Sequence, residues 1–161
     1  LYGDHNAITK DQADSLDNLL GLSYSNYNWE KLQKTICFIR FPGMENKGIN
    51  KTICGEIDIL PTVANLMGFE APHAMGKDMF NTVNGYAVLR NSTVITDNFE
   101  YLNTDGNVYS SSGFTLRPGT YSEAIRKYQQ QLAISDIILK KDVLGQYPFD
   151  GLQLLPSEDQ K

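Results

Sequence analysis

Four stretches between residues 85 and 119, "GYAVLRN", "STVITDN", "EYLNTDGNVYS" and "GFTLRPG", constrain this chain more than any other feature. Each holds short apolar runs bounded by Asn, Asn-Ser, Asp or Gly. Runs this brief between turn-forming residues read as strands rather than helices. Asp105-Gly106, between "FEYL" and "VYS", is a hairpin signal. An antiparallel meander of three or four strands is expected. Behind it, Thr120 to Glu123 has capping-box form. Ile125, Tyr128, Leu132, Ile138 and Leu139 then supply an apolar stripe out to about Leu144. The stripe predicts a long helix beginning near Tyr121 and packed on the meander. The tail "QYPFDGLQLLPSEDQK" reads as irregular.

The earlier part has another character. Thr9-Lys10-Asp11-Gln12 has capping-box form, and Ala13, Leu16, Leu19 and Leu20 follow at helical spacing before Gly21. "SYSNYNWEKLQK" reads as a loop with a helical turn around Trp29 to Leu32. Ile36 to Phe41, closed by Pro42-Gly43, is predicted to be a buried strand, because the run is short, β-branched and aromatic. In "GEIDILPTVANLMG", Pro61 suits the start of a helix, Val63, Leu66 and Met67 share a face, and Gly68 ends it. Strand, loop and helix thus alternate, which favours an α/β layer. The division that follows is an α/β part over 1–84 and a small α+β part over 85–161.

Composition excludes some functions. The 161 residues are 41% hydrophobic and 11% aromatic, enough to bury a core. The formal net charge of −5 and a pI near 4.9 argue against a nucleic-acid groove. The basic residues are scattered, with Arg126-Lys127 and Lys140-Lys141 the two adjacent pairs, so no polybasic membrane patch is present. No apolar run reaches the roughly 20 residues that span a bilayer. Cys37 and Cys54 fit neither a disulfide scaffold nor a zinc spacing, and are expected to be buried thiols. Asn50-Lys51-Thr52 and Asn91-Ser92-Thr93 match the glycosylation pattern.

The chemistry-bearing candidate is "LYGDH", where one of only two histidines stands beside a carboxylate at a strand end. Carboxylate oxygen and imidazole nitrogen both ligate Mn²⁺ or Zn²⁺, and open α/β sheets place ligands at the carboxyl ends of strands. An Asp-His pair at a strand end is more often a turn, and the pair alone favours that reading. No Gly-rich phosphate loop, Cys/His cluster or G-x-S-x-G elbow accompanies it.

The order of the remaining motifs is more specific. "GDH", then "FIRFPG", then "GEIDILPTVANLMG" and "MGKDMF" resembles the C-terminal half of sulfatase-like enzymes of the alkaline phosphatase superfamily. The resemblance is nearest to lipoteichoic acid synthases and related phosphoglycerol transferases, and "NFEYLNTDGNVYS" and the helix with "SDIIL" resemble that family's small C-terminal subdomain. It covers roughly residues 1 to 145.

This resemblance implies an α/β fold: the C-terminal part of an alkaline-phosphatase-like catalytic domain, then a small antiparallel sheet packed on a long helix. It also implies that Asp4 and His5 ligate one catalytic divalent ion, usually Mn²⁺. The family's other ligands, a glutamate and the nucleophilic threonine, lie far earlier in such chains, so no catalytic nucleophile is expected here. Family enzymes attack phosphatidylglycerol, release diacylglycerol and pass glycerophosphate to a growing polymer acceptor. The resemblance implies an upstream membrane anchor, a missing N-terminal half as partner, and a place on the extracellular face of the bacterial membrane or secretion after cleavage. The isolated chain is expected to be inactive and to bind metal weakly. Thr35-Ile36 stands where related sequences often carry a proline, so a sulfatase or phosphoethanolamine transferase stays open. A non-catalytic binding domain that keeps the family's shape also stays open.

Other residues have plainer expectations. His73 is expected in a surface loop and Asp58 in a cap or turn bond to backbone N–H groups. Arg40 is expected to be an edge or salt-bridged arginine. Tyr24, Tyr27 and Trp29 are expected to pack, and Lys140–Lys141 to serve a helix dipole.

Overall fold

The structure, a computed structural model, describes residues 1–5, 8–21, 23–44 and 47–146. The predicted irregular tail lies outside them except for Gln146, which ends a short 3₁₀ turn. The chain forms two compact units, Leu1–Asn50 and Lys51–Lys161. The segment around Pro61 is tied by hydrogen bonds to the segment that enters the sheet.

In the first unit, Gln12 Oε1 accepts the Thr9 N–H at 3.3 Å and Gln12 N–H bonds Thr9 O at 2.9 Å. This cap opens a short 3₁₀ turn that continues into α1 (Ala13–Leu20). Gly21, at φ 66, ends it. Ala13 is buried, whereas Leu19 and Leu20 are exposed. The predicted turn around Trp29 is α2 (Asn26–Leu32), capped by Ser25 Oγ, which accepts the Asn28 N–H at 3.0 Å.

The prediction of a buried strand over Ile36–Phe41 needs correction. The segment makes one antiparallel bridge, Tyr2 with Cys37, with Gly3 N–H to Ile36 O at 2.8 Å and Phe38 N–H to Leu1 O at 2.7 Å. Ile36 and Phe38 are 62% and 61% exposed. A strand is buried by layers on its faces, and the described residues supply none here. The buried-thiol expectation fails for the same reason at Cys37, and Cys54 is likewise exposed and in no disulfide.

The second unit is built around the meander, as expected. β1 (Tyr86–Val88), β2 (Val94–Thr96), β3 (Phe99–Leu102) and β4 (Asn107–Ser110) form an antiparallel sheet in that order. Register is set by pairs Val88↔Val94, Val94↔Tyr101 and Tyr101↔Val108, which put Val94, Phe99 and Val108 on one face. The Asp105-Gly106 turn forms: Gly106, at φ 72, donates to Leu102 O at 2.9 Å, and Asp105 Oδ1 accepts the Asn107 N–H at 2.9 Å. "GFTLRPG" adds only an isolated bridge, Tyr109↔Thr115.

α4 (Ser122–Lys140) covers that face. Ile125 joins Val94, Phe99 and Val108 in the core, with Tyr128 and Ala124 against them. Each fully buried side chain of this size contributes about 1.5–3 kcal/mol. Farther along, α4 is held by polar contacts: Gln129 Nε2 to Ser92 O at 2.8 Å and Gln131 Nε2 to Met75 O at 3.1 Å. The predicted stripe therefore buries only its first part, and Leu139 is exposed. The predicted capping box is absent too. Thr120 Oγ1 donates to Arg117 O, and Tyr121, in the left-handed region at φ 61, stacks its ring on Phe99 with centroids 4.3 Å apart. Ring stacking on Phe99 stands where a polar cap was expected.

α3 (Ile59–Met67) follows a 3₁₀ turn at Glu56–Asp58, which moves the helix start ahead of Pro61. Pro61 remains in the first turn, where its missing N–H costs nothing. Gly68, at φ 71, caps the end as expected. No helix among the described residues is long and apolar enough to cross a membrane.

Candidate functional site

The ribbon of Leu1–Gly3 against Ile36–Phe38 delivers the Asp-His doublet. Gly3 is anchored by its bond to Ile36 O, and a Cβ at Gly3 would press on Thr35 Cβ at 3.2 Å. After Gly3 the chain bends, so Asp4 and His5 leave the pleat that would turn neighbouring side chains to opposite faces. His5 Nε2 then lies 3.8 Å from Asp4 Oδ1, with the side chains 75% and 79% exposed. Two donors, each about 2.0–2.2 Å from one divalent ion, can span such a separation. The donor set of one carboxylate oxygen and one imidazole nitrogen suits Mn²⁺ or Zn²⁺. Among the described residues no group of three or more His, Cys, Asp or Glu converges to hold a metal. The pair therefore fits part of a coordination sphere.

The motifs "GEIDILPT" and "MGKDMF" meet in a second constellation, and it is structural. Asp58 is 1% exposed. Its Oδ2 accepts the Gly55 N–H at 2.9 Å and the Lys77 ammonium at 3.1 Å, while Oδ1 accepts the Lys77 N–H at 2.8 Å. Lys77 Nζ also donates to Tyr86 O at 2.8 Å and stands 3.8 Å from the centroid of the Tyr86 ring. Thr62 Oγ1 donates to Asp58 O at 2.6 Å and accepts the Met79 N–H at 3.0 Å. Each buried polar atom thus has a partner, which is what burial of a charge requires. Asp58 is spoken for by protein donors and is a turn and cap residue, as expected.

Gly76 makes this closure possible. A Cβ there would fall on the carbonyl of Ile57 and 2.8 Å from Asp58 N. Beside it, Asp78 accepts from Asn65 Nδ2 at 2.7 Å, Asn81 Nδ2 at 2.6 Å and Phe80 N–H at 2.9 Å. Lys77 and Asp78 escaped sequence reasoning. The available signal was a Lys-Asp pair after a glycine, which spacing alone does not connect to an aspartate 19 residues earlier.

Electrostatics follow burial and pairing. Burial, reinforced by the charge of Asp58 and by Tyr128, raises the Tyr86 phenol above its usual 10.0, against a hydrogen bond from Gln131. Asp136 is held below the usual 3.8, first by the hydrogen bond from Arg90 Nη1 at 2.6 Å, against slight desolvation, and with Lys140 Nζ 3.7 Å away.

The remaining candidates are surface features. His73 is exposed in a turn closed by Ala74 N–H to Ala71 O at 3.0 Å. Arg40 is exposed outside any strand, so the edge-strand expectation is not met. Tyr24 is half exposed, and Tyr27 lies under Lys31 Nζ, 4.7 Å from its ring centroid. Lys140 lies in the last turn of α4, as a dipole role requires. An open groove of about 460 Å³ beside the start of α4 is lined by Tyr121, Ser122, Glu123 and Lys127, and contains no catalytic set.

No protein-family model matches the sequence. The chain is 28% identical over 153 residues to the lipoteichoic acid synthase of Staphylococcus aureus strain USA300, and equally to that of strain COL. The match takes in 91% of this chain and 23% of each synthase, so the chain spans about a quarter of the length of the curated relatives it matches. In sequence, this chain is similar to a portion of lipoteichoic acid synthase.

Proposed function

We propose that this chain is the later part of the catalytic domain of a metal-dependent phosphoglycerol transferase of the lipoteichoic acid synthase kind. The observation that carries this reading is the similarity over 91% of the chain. Asp4 and His5 supply two ligands of a Mn²⁺ site, and the Leu1–Gly3 ribbon holds them at its bend. When bound, the ion supplies positive charge to phosphoryl oxygens in a displacement. The threonine nucleophile and the remaining ligands belong to the rest of the polypeptide, on the α/β sulfatase-like scaffold to which 1–84 contributes. The substrates are phosphatidylglycerol and a glycerophosphate polymer acceptor, met on the outer face of the bacterial membrane to which an upstream segment anchors the enzyme.

The 51–146 region serves this chemistry as a scaffold. The Asp58–Lys77 pair fastens the start of α3 to β1. The test is diacylglycerol release from phosphatidylglycerol vesicles with Mn²⁺. The protein expressed from its full reading frame releases it, this chain alone does not, and Asp4→Ala in the longer protein abolishes release. Turnover by the isolated chain, or full activity of the Asp4→Ala protein, contradicts the proposal. The same assay separates it from a non-catalytic domain, which releases nothing in either form, and from a sulfatase, which hydrolyses sulfate esters instead.

A further inference from the structure

Asn84-Gly85 is the one Asn-Gly step in the sequence, and glycine hinders the residue before it less than any other. Asn84 is exposed in the bend that enters β1, next to the exposed Val83. Among the described residues no hydrogen bond holds the Asn84 side chain or the Gly85 N–H. The side-chain carbonyl carbon of an asparagine and the following backbone nitrogen are the two atoms that close a five-membered ring. Here neither has to give up a partner first.

Two steps of similar sequence in the same sheet are held shut. At Asn91-Ser92 the Ser92 N–H donates to Leu89 O at 2.8 Å, and Asn91 Oδ1 accepts the Thr93 N–H at 3.0 Å. At Asp105-Gly106 the Gly106 N–H donates to Leu102 O, and the two carboxylate oxygens accept the Asn107 N–H and the Tyr109 hydroxyl. Ring closure at either step waits for local opening. Gly85 itself is buried against another strand of backbone. A Cβ there would fall on Ile53 O and 2.6 Å from Ile53 N, so this contact fixes where β1 begins. One residue on, Tyr86 O accepts from Lys77 Nζ at 2.8 Å.

We propose that Asn84 is a site of spontaneous deamidation whose isoaspartyl product loosens the start of β1. The Gly85 nitrogen attacks Asn84 Cγ. The N–Cγ bond forms, the Cγ–Nδ2 bond breaks, and ammonia leaves with the proton that Gly85 N gives up. Water then opens the succinimide at one of its two carbonyls. Opening at Cγ gives aspartate and leaves the main chain as it was. Opening at the main-chain carbonyl carbon gives isoaspartate, whose backbone runs through Cβ and Cγ and is one atom longer. An extra backbone atom directly ahead of Gly85 unseats that residue from Ile53, whereas the aspartyl product keeps the contact. This inference does not rest on the reading of the chain as part of a transferase.

Incubation of this chain at mildly alkaline pH in heavy-oxygen water, followed by peptide mapping, reads conversion at each asparagine. Asn84 should convert in the folded chain within about threefold of its rate in the urea-unfolded chain. Asn91 should convert at least about tenfold more slowly folded than unfolded, because its hydrogen bonds must open first. The incubated protein should melt at a lower temperature than the fresh protein. Freshly made Asn84→Asp should melt with the wild type, and Asn84→Ser should keep its melting temperature through the same incubation. Folded-state protection of Asn84 as strong as that of Asn91 overturns the proposal. An unchanged melt in protein whose map shows isoaspartate at position 84 also overturns it. So does fresh Asn84→Asp melting as low as the incubated protein, which would assign the loss to the new charge and not to the longer backbone.

Discussion

Lys77 Nζ sits 3.1 Å from Asp58 Oδ2, with the aspartate side chain 1% exposed and the lysine side chain 22% exposed. This pair joins two motifs that are 19 residues apart and fastens the helical segment to the first strand of the meander through Tyr86. Removing one member leaves the other's charge poorly solvated, which is the costly way to break such a pair. Asp58→Ala also orphans the Gly55 and Lys77 amides. A loss of about 3–5 kcal/mol is expected, read as a lower urea midpoint. Lys77→Met keeps the stem packed on Tyr86 but leaves the buried Asp58 carboxylate with backbone donors alone, so its cost should be comparable. Equal and small effects would show that the pair contributes little.

Gly76 and Gly106 are required for different reasons. Gly76→Ala drives a methyl into the backbone of Ile57 and should cost about 1–3 kcal/mol as overpacking. Gly106 has open space around it but φ 72, so Gly106→Ala should cost about 1–2 kcal/mol through the backbone alone. Gly106→Asn should recover part of that loss, because asparagine tolerates the left-handed region, whereas Gly76→Asn should be worse than Gly76→Ala. Thermal melts of the four variants give the comparison.

Two groups with shifted titration make stability depend on pH. The Asp136 carboxyl is depressed in the folded chain, chiefly by Arg90, so its contribution is present above about 3.8 and disappears as pH falls through the folded value. The difference in urea midpoint between the wild type and Arg90→Ala should therefore shrink towards zero in acid. The Tyr86 phenol is raised by burial and by Asp58, so its contribution is complete below 10.0 and is lost as pH rises through its folded value. Tyr86→Phe should flatten the alkaline decline. An unchanged slope would place the decline elsewhere, with Tyr109, also raised by burial and by Asp105, the next residue to test.

The legible parts of this fold were the local ones. The meander, its Asp105-Gly106 turn and the Gly68 stop depend on residues within a few positions of each other, and they formed as the pattern indicated. The Thr120 cap does not form: its hydroxyl donates to Arg117 O, and Tyr121 stacks on Phe99, a partner too distant in the sequence for a local pattern to reveal. The Ile36–Phe41 run carries the composition of a buried strand, yet its burial depends on layers that these described residues do not contain. At the site, adjacency made the Asp4-His5 pair visible, whereas Lys77 and Asp78 became meaningful only once folding brought them to Asp58 and Asn65.

The most direct test of the account is Mn²⁺ calorimetry on the protein from the full reading frame, beside its Asp4→Ala and His5→Ala variants. If the doublet supplies two ligands, each substitution should weaken Mn²⁺ binding by about a hundredfold or more, beyond the 10–100-fold typical of residues that merely support a ligand. The thermal unfolding of the metal-free protein should not move, because both side chains are exposed. This chain alone should bind Mn²⁺ far more weakly than the longer protein. Equal Mn²⁺ affinity in the wild type and the two variants would contradict the account and make "LYGDH" a turn at the end of a strand.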